Sequence, residues 1–273
     1  MPNEKNVKFY IRRYDPLKDK EPYLRSYDVP VSKGMVVLDA LHYIRENLDP
    51  SLAWRYSCRM GVCGSCGMLI NGSPTLACNT QIFDISETEL TIAPLPNFRI
   101  IKDLVPELSP MFEKHREILP FVVREESELD DPEGEFYQTP EQLEEFLQFT
   151  FCIKCGCCMA ACPTLATDPN YLGPQPLAQA HRYNKDTRDG GRKARNQITG
   201  SNDGAFKCHY AGECSRVCPK GVDPAKAIQI MKRQLVFDFL KISKSQKPCE
   251  KLKGPGKGEK KDIPPAPTYT VQE

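Results

Sequence analysis

Thirteen cysteines are the side chains in this 273-residue sequence with the most evident chemistry. They fall in tight groups with gaps of two to four residues, which is the spacing of metal ligands. A secreted disulfide scaffold is the alternative explanation for so many cysteines. The N-terminus, MPNEKNVKFYIRRYD, is charged and lacks the apolar segment of a signal peptide, which favours reduced thiols in a cytoplasm-like compartment.

The first cysteine group has the sequence CRMGVCGSCGMLINGSPTLAC. Cys58, Cys63 and Cys66 have the spacing C-x4-C-x2-C, and Cys78 follows at a distance, which is typical of a plant-type [2Fe–2S] site. A zinc knuckle is the alternative, but zinc sites favour cysteine pairs two residues apart. The backbone is expected to wrap closely around the inorganic core at three glycines: Gly61, Gly64 and Gly67.

The second group, CIKCGCCMAACP, matches the four-iron ferredoxin spacing C-x2-C-x2-C-x3-C-P at every position. The matching cysteines are Cys152, Cys155, Cys158 and Cys162. Cys157 falls outside the template, and we expect it to be a small buried hydrophobic residue.

The third group, CHYAGECSRVCP, has the same spacing with one cysteine missing. Cys208, Cys214 and Cys218 occupy template positions, whereas Ala211 stands where the remaining thiolate is expected. A cluster that lacks one protein thiolate readily lacks the corresponding iron, so this group predicts a [3Fe–4S] site. Water or Glu213 as a fourth, non-thiolate ligand is the alternative.

In two-cluster ferredoxins the fourth cysteine of each run binds the other cluster. This exchange gives a [4Fe–4S] site with Cys152, Cys155, Cys158 and Cys218 as ligands. It also gives a [3Fe–4S] site with Cys162, Cys208 and Cys214 as ligands.

The elements around these groups predict an α+β fold. Residues 7–12, 26–31 and 89–95 are short and β-rich, and Asn71-Gly72 is a hairpin-turn signal. Apolar residues at helical spacing follow from Val37.

The second half is predicted to be helical. Residues 103–119 have a helical pattern, and 124–136 form an acidic, exposed loop. Thr139-Pro140 with Gln142, and later Asp223-Pro224, are helix starts. The basic run 181–195 is expected to form a solvated face, and contact with lipid headgroups or a partner is the alternative.

These patterns divide the chain into a [2Fe–2S] ferredoxin domain at residues 1–105, a helical two-cluster domain at 106–243, and a flexible tail at 244–273. The net charge of +1 gives no support for a nucleic-acid partner. No apolar run reaches 18 residues, so the chain itself is not expected to span a membrane.

Four segments together resemble the iron–sulfur subunit of succinate dehydrogenase and fumarate reductase: SCRMGVCGSCGMLING, CIKCGCCMAACP, YLGPQPLAQAHRYNKDTRD and CHYAGECSRVCPKGVDP. The likeness covers residues 5–240. It implies a β-grasp ferredoxin domain followed by an α-helical ferredoxin domain, and the family's cluster ligands match the cysteines assigned above. It also implies electron transfer from a flavoprotein subunit with covalent FAD to quinone at an integral membrane anchor, with or without haem, on the cytoplasmic side of the cell membrane.

The resemblance further implies a quinone site beside the three-iron cluster. Pro163 and His209 match residues lining that site, and Lys232 matches a lysine near the quinone in fumarate reductases. Some members have a tryptophan shortly after the Cys-Pro pair, where this chain has Thr167. A soluble multi-cluster ferredoxin and a zinc-stabilised interaction module remain the rival interpretations.

Overall fold

The computed structural model describes residues 4–124, 134–242 and 251–253. Its first half is built on a five-stranded mixed sheet with the strand order β2-β1-β5-β3-β4. The strands are β1 (Lys5–Arg13), β2 (Tyr23–Val31), β3 (Gly67–Ile70), β4 (Ser73–Leu76) and β5 (Glu89–Ala93). Strand β1 is antiparallel to β2 and parallel to β5.

Alternation of apolar and polar residues explains these strands. In β1 the side chains of Val7, Phe9 and Ile11 are fully buried, and polar residues lie between them. The predicted turn at Asn71-Gly72 joins β3 to β4, and both residues have positive φ angles (45° and 80°). Two positive φ angles are the geometry of a type I′ hairpin, so this prediction is confirmed.

Helix α1 (Val37–Tyr43) and the π-helical turn that follows it (Ile44–Leu48) cover the sheet. Five of their apolar side chains are buried with those of the strands in one core: Val37, Leu38, Ala40, Leu41 and Ile44. A short 3-10 turn, Ala77–Asn79, carries Cys78 at the end of β4. This arrangement of a mixed sheet and one helix confirms the α+β prediction for the first half.

A small hairpin, β6 (Ile100–Lys102) and β7 (Val105–Pro106), follows the sheet. Helix α2 (Ser109–Glu117) begins only after it, so the helical prediction for 103–119 is wrong over its first six residues. The reason is tertiary: the buried carboxylate of Asp103 accepts N–H groups from Tyr14 and Ala53, each at 3.0 Å, and pairs with Arg13 at 2.8 Å.

The second half is helical. Its helices are α3 (Pro140–Thr150), α4 (Cys157–Ala160), α5 (Pro163–Thr167), α6 (Pro174–Lys185), α7 (Arg192–Thr199), α8 (Glu213–Arg216) and α9 (Pro224–Phe239), with a 3-10 turn at Ala205–Lys207. Both predicted helix starts are confirmed. Thr139 and Gln142 form a reciprocal capping box, with bonds of 3.2 and 3.0 Å. The Asp223 carboxylate accepts the Lys226 N–H at 2.9 Å.

The basic run 181–195 is not the solvated face that its composition predicts. Arg195 is fully buried, and its guanidinium pairs with Asp189 at 2.6 and 2.9 Å. It also donates to the carbonyl oxygens of Leu119 and Phe121. His181 is buried as well. This arginine therefore joins α7 to the chain after α2, because each of its three guanidinium nitrogens donates to an acceptor.

A short strand pair connects two parts of the chain that are distant in sequence. Strand β8 (Gly134–Phe136) pairs with β9 (Lys251–Lys253) in antiparallel register. The first of these strands falls in the predicted acidic loop, and the second falls in the predicted tail; Cys249 and residues 254–273 lie outside the described residues. Among the residues that are described, no helix has the length and apolar character needed to cross a bilayer.

Candidate iron–sulfur sites

Cys58, Cys63 and Cys66 lie on the loop that precedes β3, and backbone N–H groups of this loop point at sulfur atoms. The N–H groups of Met60, Val62 and Cys63 lie 3.3 to 3.4 Å from the Cys58 sulfur. The Gly61 N–H lies 3.2 Å from the Cys78 sulfur. Converging backbone donors of this kind form a concave surface that stabilises negative charge.

These donors have a direct electrostatic consequence. The hydrogen bonds from Met60 and Val62 to the sulfur lower the pKa of Cys58 to about 6. Burial has the opposite effect at Cys66, where it raises the pKa to about 12. Iron coordination would deprotonate both thiols, since a metal-bound thiol loses its proton.

Two of the three glycines, Gly64 on this loop and Gly67 at the start of β3, have a role beyond the one expected. A Cβ atom added at Gly64 would lie 2.8 Å from the Ile153 carbonyl oxygen and 3.0 Å from the Cys155 Cα. At Gly67 it would lie 3.0 Å from the Cys155 carbonyl oxygen. Both glycines therefore allow the first cysteine loop to pack directly against the second, rather than only around its own site.

The variant Gly64→Ala is expected to destabilise this contact. Gly64 has φ +75°, and a Cβ there adds both backbone strain and a collision with Ile153. Gly72→Ala is the matched control because Gly72 has φ +80° but nothing within 4 Å of the added atom. Thermal unfolding of the purified complex should show a larger loss of stability for Gly64→Ala, by about 1 to 3 kcal/mol for the overpacking. Equal losses in the two variants would contradict the packing role.

The second group and part of the third meet at one cavity of about 410 Å³, which includes space open to solvent. The cysteines that line it are Cys152, Cys155, Cys158 and Cys218, the four expected at the [4Fe–4S] site. Burial raises the pKa of Cys152 and Cys158. Cys157, in contrast, is fully buried and does not line the cavity. This placement agrees with its expected role as a small hydrophobic residue.

An adjoining cavity of about 320 Å³ contains the remaining cysteines. It is lined by Cys162, Cys208 and Cys214, the three expected at the [3Fe–4S] site, and by Ala211. The Tyr210 N–H lies 3.4 Å from the Cys208 sulfur. Ala211 thus lines the same cavity as the three thiols, and no thiolate is present at that position.

Glu213 also lines this cavity, so its contacts show whether its carboxylate is available as the alternative fourth ligand. Its carboxylate pairs with the guanidinium of Arg216, whose Nε lies 2.9 Å away. This pairing lowers the pKa of Glu213. A carboxylate already engaged with an arginine is a poorer candidate for the fourth iron ligand than a free one would be.

The expected quinone residues are only partly brought together. Pro163 and His209 are exposed, and both line the three-iron cavity. Lys232 does not line it. Instead, the Lys232 ammonium donates to the Cys208 carbonyl oxygen at 2.6 Å, so its charge lies against the loop that carries His209. Thr167 is exposed at the end of α5.

Residues that the spacing argument did not identify also contact the sites. Asn97 donates from its side-chain amide to the carbonyl oxygens of Met159, Ala160 and Cys162 at 3.0 to 3.1 Å. Tyr171 lines the three-iron cavity and Gln175 lines the four-iron cavity. The spacing of the cysteines marks none of these three residues, because it concerns only the cysteines themselves.

The donor sets fit polynuclear clusters. Across the described ranges, no three His, Cys, Asp or Glu side chains are grouped closely enough to hold a single metal ion. The twelve described cysteines are all free thiols. Thiols spread around the walls of cavities of this size are suited to an inorganic core whose several irons each take a separate thiolate.

Comparison with protein families finds one cluster-binding model in each half of the chain. Residues 8–113 match the model of the 2Fe-2S iron-sulfur cluster binding domain. Residues 148–222 match the 4Fe-4S dicluster domain. The first range contains the whole first cysteine group, and the second contains both cavities' cysteines.

Curated relatives cover most of the chain. The fumarate reductase iron-sulfur subunit of Haemophilus influenzae is 43% identical over 88% of this chain and 97% of its own length. The fumarate reductase iron-sulfur subunit of Mycobacterium tuberculosis is 45% identical over 85% and 93%. The mitochondrial succinate dehydrogenase [ubiquinone] iron-sulfur subunit of Dictyostelium discoideum is 38% identical over 85% and 83%.

A solved structure has the same fold. A chain of the Mycobacterium smegmatis Sdh1 complex in the apo form superposes with a TM-score of 0.79 at 28% identity, covering 86% of this chain and 98% of that one. The cysteine spacing, the two cavities and the extent of these relatives lead to one conclusion: the chain belongs to the family of iron–sulfur subunits of fumarate reductase and succinate dehydrogenase.

Proposed function

We propose that this chain carries electrons one at a time between an FAD-containing partner subunit and quinone at a membrane anchor. The observation that carries the proposal is the pair of adjacent cavities, one lined by four cysteines and the other by three. The first cysteine group supplies four more. When bound, [2Fe–2S], [4Fe–4S] and [3Fe–4S] clusters supply one-electron carriers whose potentials depend on cluster type, charge and hydrogen bonding.

The proposed ligands are eleven cysteines. The [2Fe–2S] ligands are Cys58, Cys63, Cys66 and Cys78; the [4Fe–4S] ligands are Cys152, Cys155, Cys158 and Cys218; the [3Fe–4S] ligands are Cys162, Cys208 and Cys214. We place the domain boundary near residue 105, at the hairpin that separates the sheet from α2, and a tail after residue 243.

Packing supports an order for electron transfer. Gly64 and Gly67 bring the first loop against Ile153 and Cys155, which belong to the four-iron loop. The helices α6 and α9 each contribute their first turn to the walls of both cavities. Their N-termini place partial positive charge beside two anionic centres, which favours the reduced forms. Because the first loop packs on the four-iron loop, and the four-iron and three-iron cavities share two helices, the proposed order is [2Fe–2S], [4Fe–4S], [3Fe–4S].

The three-iron site is last in this order, and the proposed quinone site is beside it. Pro163 and His209 open the three-iron cavity to the surface, and Lys232 adds a positive charge next to Cys208. His209 or Lys232 would stabilise negative charge that develops on a quinone oxygen. The partner at this surface is the membrane anchor, on the cytoplasmic side of the membrane.

Ligand replacement in the intact complex tests the crossed assignment. Cys218→Ser should remove the electron paramagnetic resonance signal of the four-iron cluster, although Cys218 lies in the third sequence group. Cys162→Ser should remove the three-iron signal, although Cys162 lies in the second. The reversed pattern would contradict the assignment. Zinc without iron in the unmodified complex would exclude electron transfer altogether.

A further inference from the structure

Tyr171 places a buried hydroxyl against the three-iron cavity. The residue is 1% exposed, and its ring packs in the helical core. Its backbone carbonyl accepts the Lys114 ammonium at 2.6 Å, which holds the segment in place. The hydroxyl lies beside the Cys208 sulfur, yet within the described part of the chain it meets no group with hydrogen-bond geometry. A buried phenol without a partner is costly, because it has lost its water.

Gln175 occupies the equivalent position at the four-iron cavity. It is 1% exposed, and its amide nitrogen Nε2 lies 3.2 Å from the Nδ1 of His115. Its amide oxygen is buried without a partner among the described residues. Burial, with a smaller effect from Lys154, lowers the pKa of His115 to about 4, so the imidazole is neutral. The neutral Nδ1 can accept one of the two N–H groups of this amide, and the second N–H can donate to the Cys152 sulfur, with which the Gln175 side chain makes a hydrogen bond.

We propose that Tyr171 and Gln175 each donate a hydrogen bond to one cluster and raise its reduction potential, Tyr171 at the three-iron and Gln175 at the four-iron site. The proposal rests on the ligand assignment given above. Each donor lines one cavity and is absent from the walls of the other. The segment 171–175 therefore holds two donors that act on two carriers separately.

The direction of the change in reduction potential follows from the charge of the clusters. Each cluster gains one negative charge when it is reduced, and a hydrogen bond to a sulfur stabilises the more negative state. A phenol with an ordinary pKa near 10 and a carboxamide both keep their protons at neutral pH. Removing either donor must therefore lower the potential of the cluster beside it. Both residues are positioning and tuning residues, since neither is a ligand.

The test is a redox titration of the intact complex, followed by electron paramagnetic resonance, with the variants Tyr171→Phe and Gln175→Leu. Tyr171→Phe should lower the ratio of reduced to oxidised three-iron cluster about tenfold at a fixed potential, which is 59 mV for a one-electron couple. The four-iron cluster should not change. Gln175→Leu should give the reverse pattern, so each variant is the control for the other.

Three outcomes would overturn the proposal: no shift of the neighbouring cluster in either variant, equal shifts of both clusters, or a shift to higher potential. Incorporation of 3-fluorotyrosine at position 171 covers the case in which Tyr171→Phe fails to assemble, because it keeps the ring and makes the hydroxyl a stronger donor. The three-iron potential should then rise, and an unchanged potential would overturn the Tyr171 assignment. Failure of the ligand assignment can be distinguished from failure of this proposal. In the first case the unmodified complex would itself lack the three-iron or the four-iron signal.

Discussion

Replacing Ala211 by cysteine is expected to abolish the three-iron signal of the oxidised complex and to add one iron to the chain. Ala211 lines the cavity that is also lined by Cys162, Cys208 and Cys214. A thiolate at this position completes the four-iron spacing C-x2-C-x2-C across residues 208–214. Electron paramagnetic resonance and iron analysis of the purified complex measure both effects.

The converted cluster should also impair electron transfer to quinone. The added thiolate and iron change the charge of the cluster, and cluster type and charge set its potential. Ala211→Ser is the matched control, because serine has nearly the same size and a hydroxyl in place of the thiol. The serine variant should keep the three-iron signal. A cysteine variant that keeps this signal unchanged would disprove the account based on a missing thiolate.

Replacing Lys232 by leucine is expected to slow quinone reduction by succinate about a hundredfold, which is the usual effect of losing one donor to a developing oxyanion. The Lys232 ammonium lies 2.6 Å from the Cys208 carbonyl oxygen, directly beside the proposed quinone residue His209. Reduction of an artificial acceptor at the flavin should be unaffected, because that reaction does not use the far end of the chain. Steady-state assays with the two acceptors give the comparison.

The variant Lys226→Leu is the control for charge loss on the same helix. Lys226 is exposed in the first turn of α9 and lines neither cavity. It should retain both activities. Equal loss of both activities in Lys232→Leu, together with a changed three-iron signal, would show that Lys232 only holds the Cys208 loop. Full retention of quinone reduction would remove Lys232 from the proposed site.

Local chemistry explains what could be predicted without the structure. Strand β1 follows from the alternation of Val7, Phe9 and Ile11, and helix α3 follows from the capping box of Thr139 and Gln142. Both depend on residues at most four positions apart. The division of the cysteines into three groups is also local, because the spacing within one loop determines which thiols can surround one core.

Predictions failed where a distant partner overrides the local pattern. The charge pattern of 181–195 indicates a solvated face, yet Arg195 is buried because Asp189 and two carbonyl oxygens from the chain after α2 satisfy it. The helical pattern of 103–119 is interrupted because Asp103 receives N–H groups from Tyr14 and Ala53. Neither set of partners can be identified from a window of neighbouring residues.

The sequence by itself thus determined the family, the expected cluster types and the missing thiolate at Ala211, since each depends on residue type and short-range spacing. Only the tertiary structure decided how the sites meet one another. It showed that Gly64 is small because the four-iron loop packs against it, and that Tyr171 and Gln175 turn toward separate cavities. Such contacts join residues tens of positions apart, and they arise only when the helical core brings the loops together.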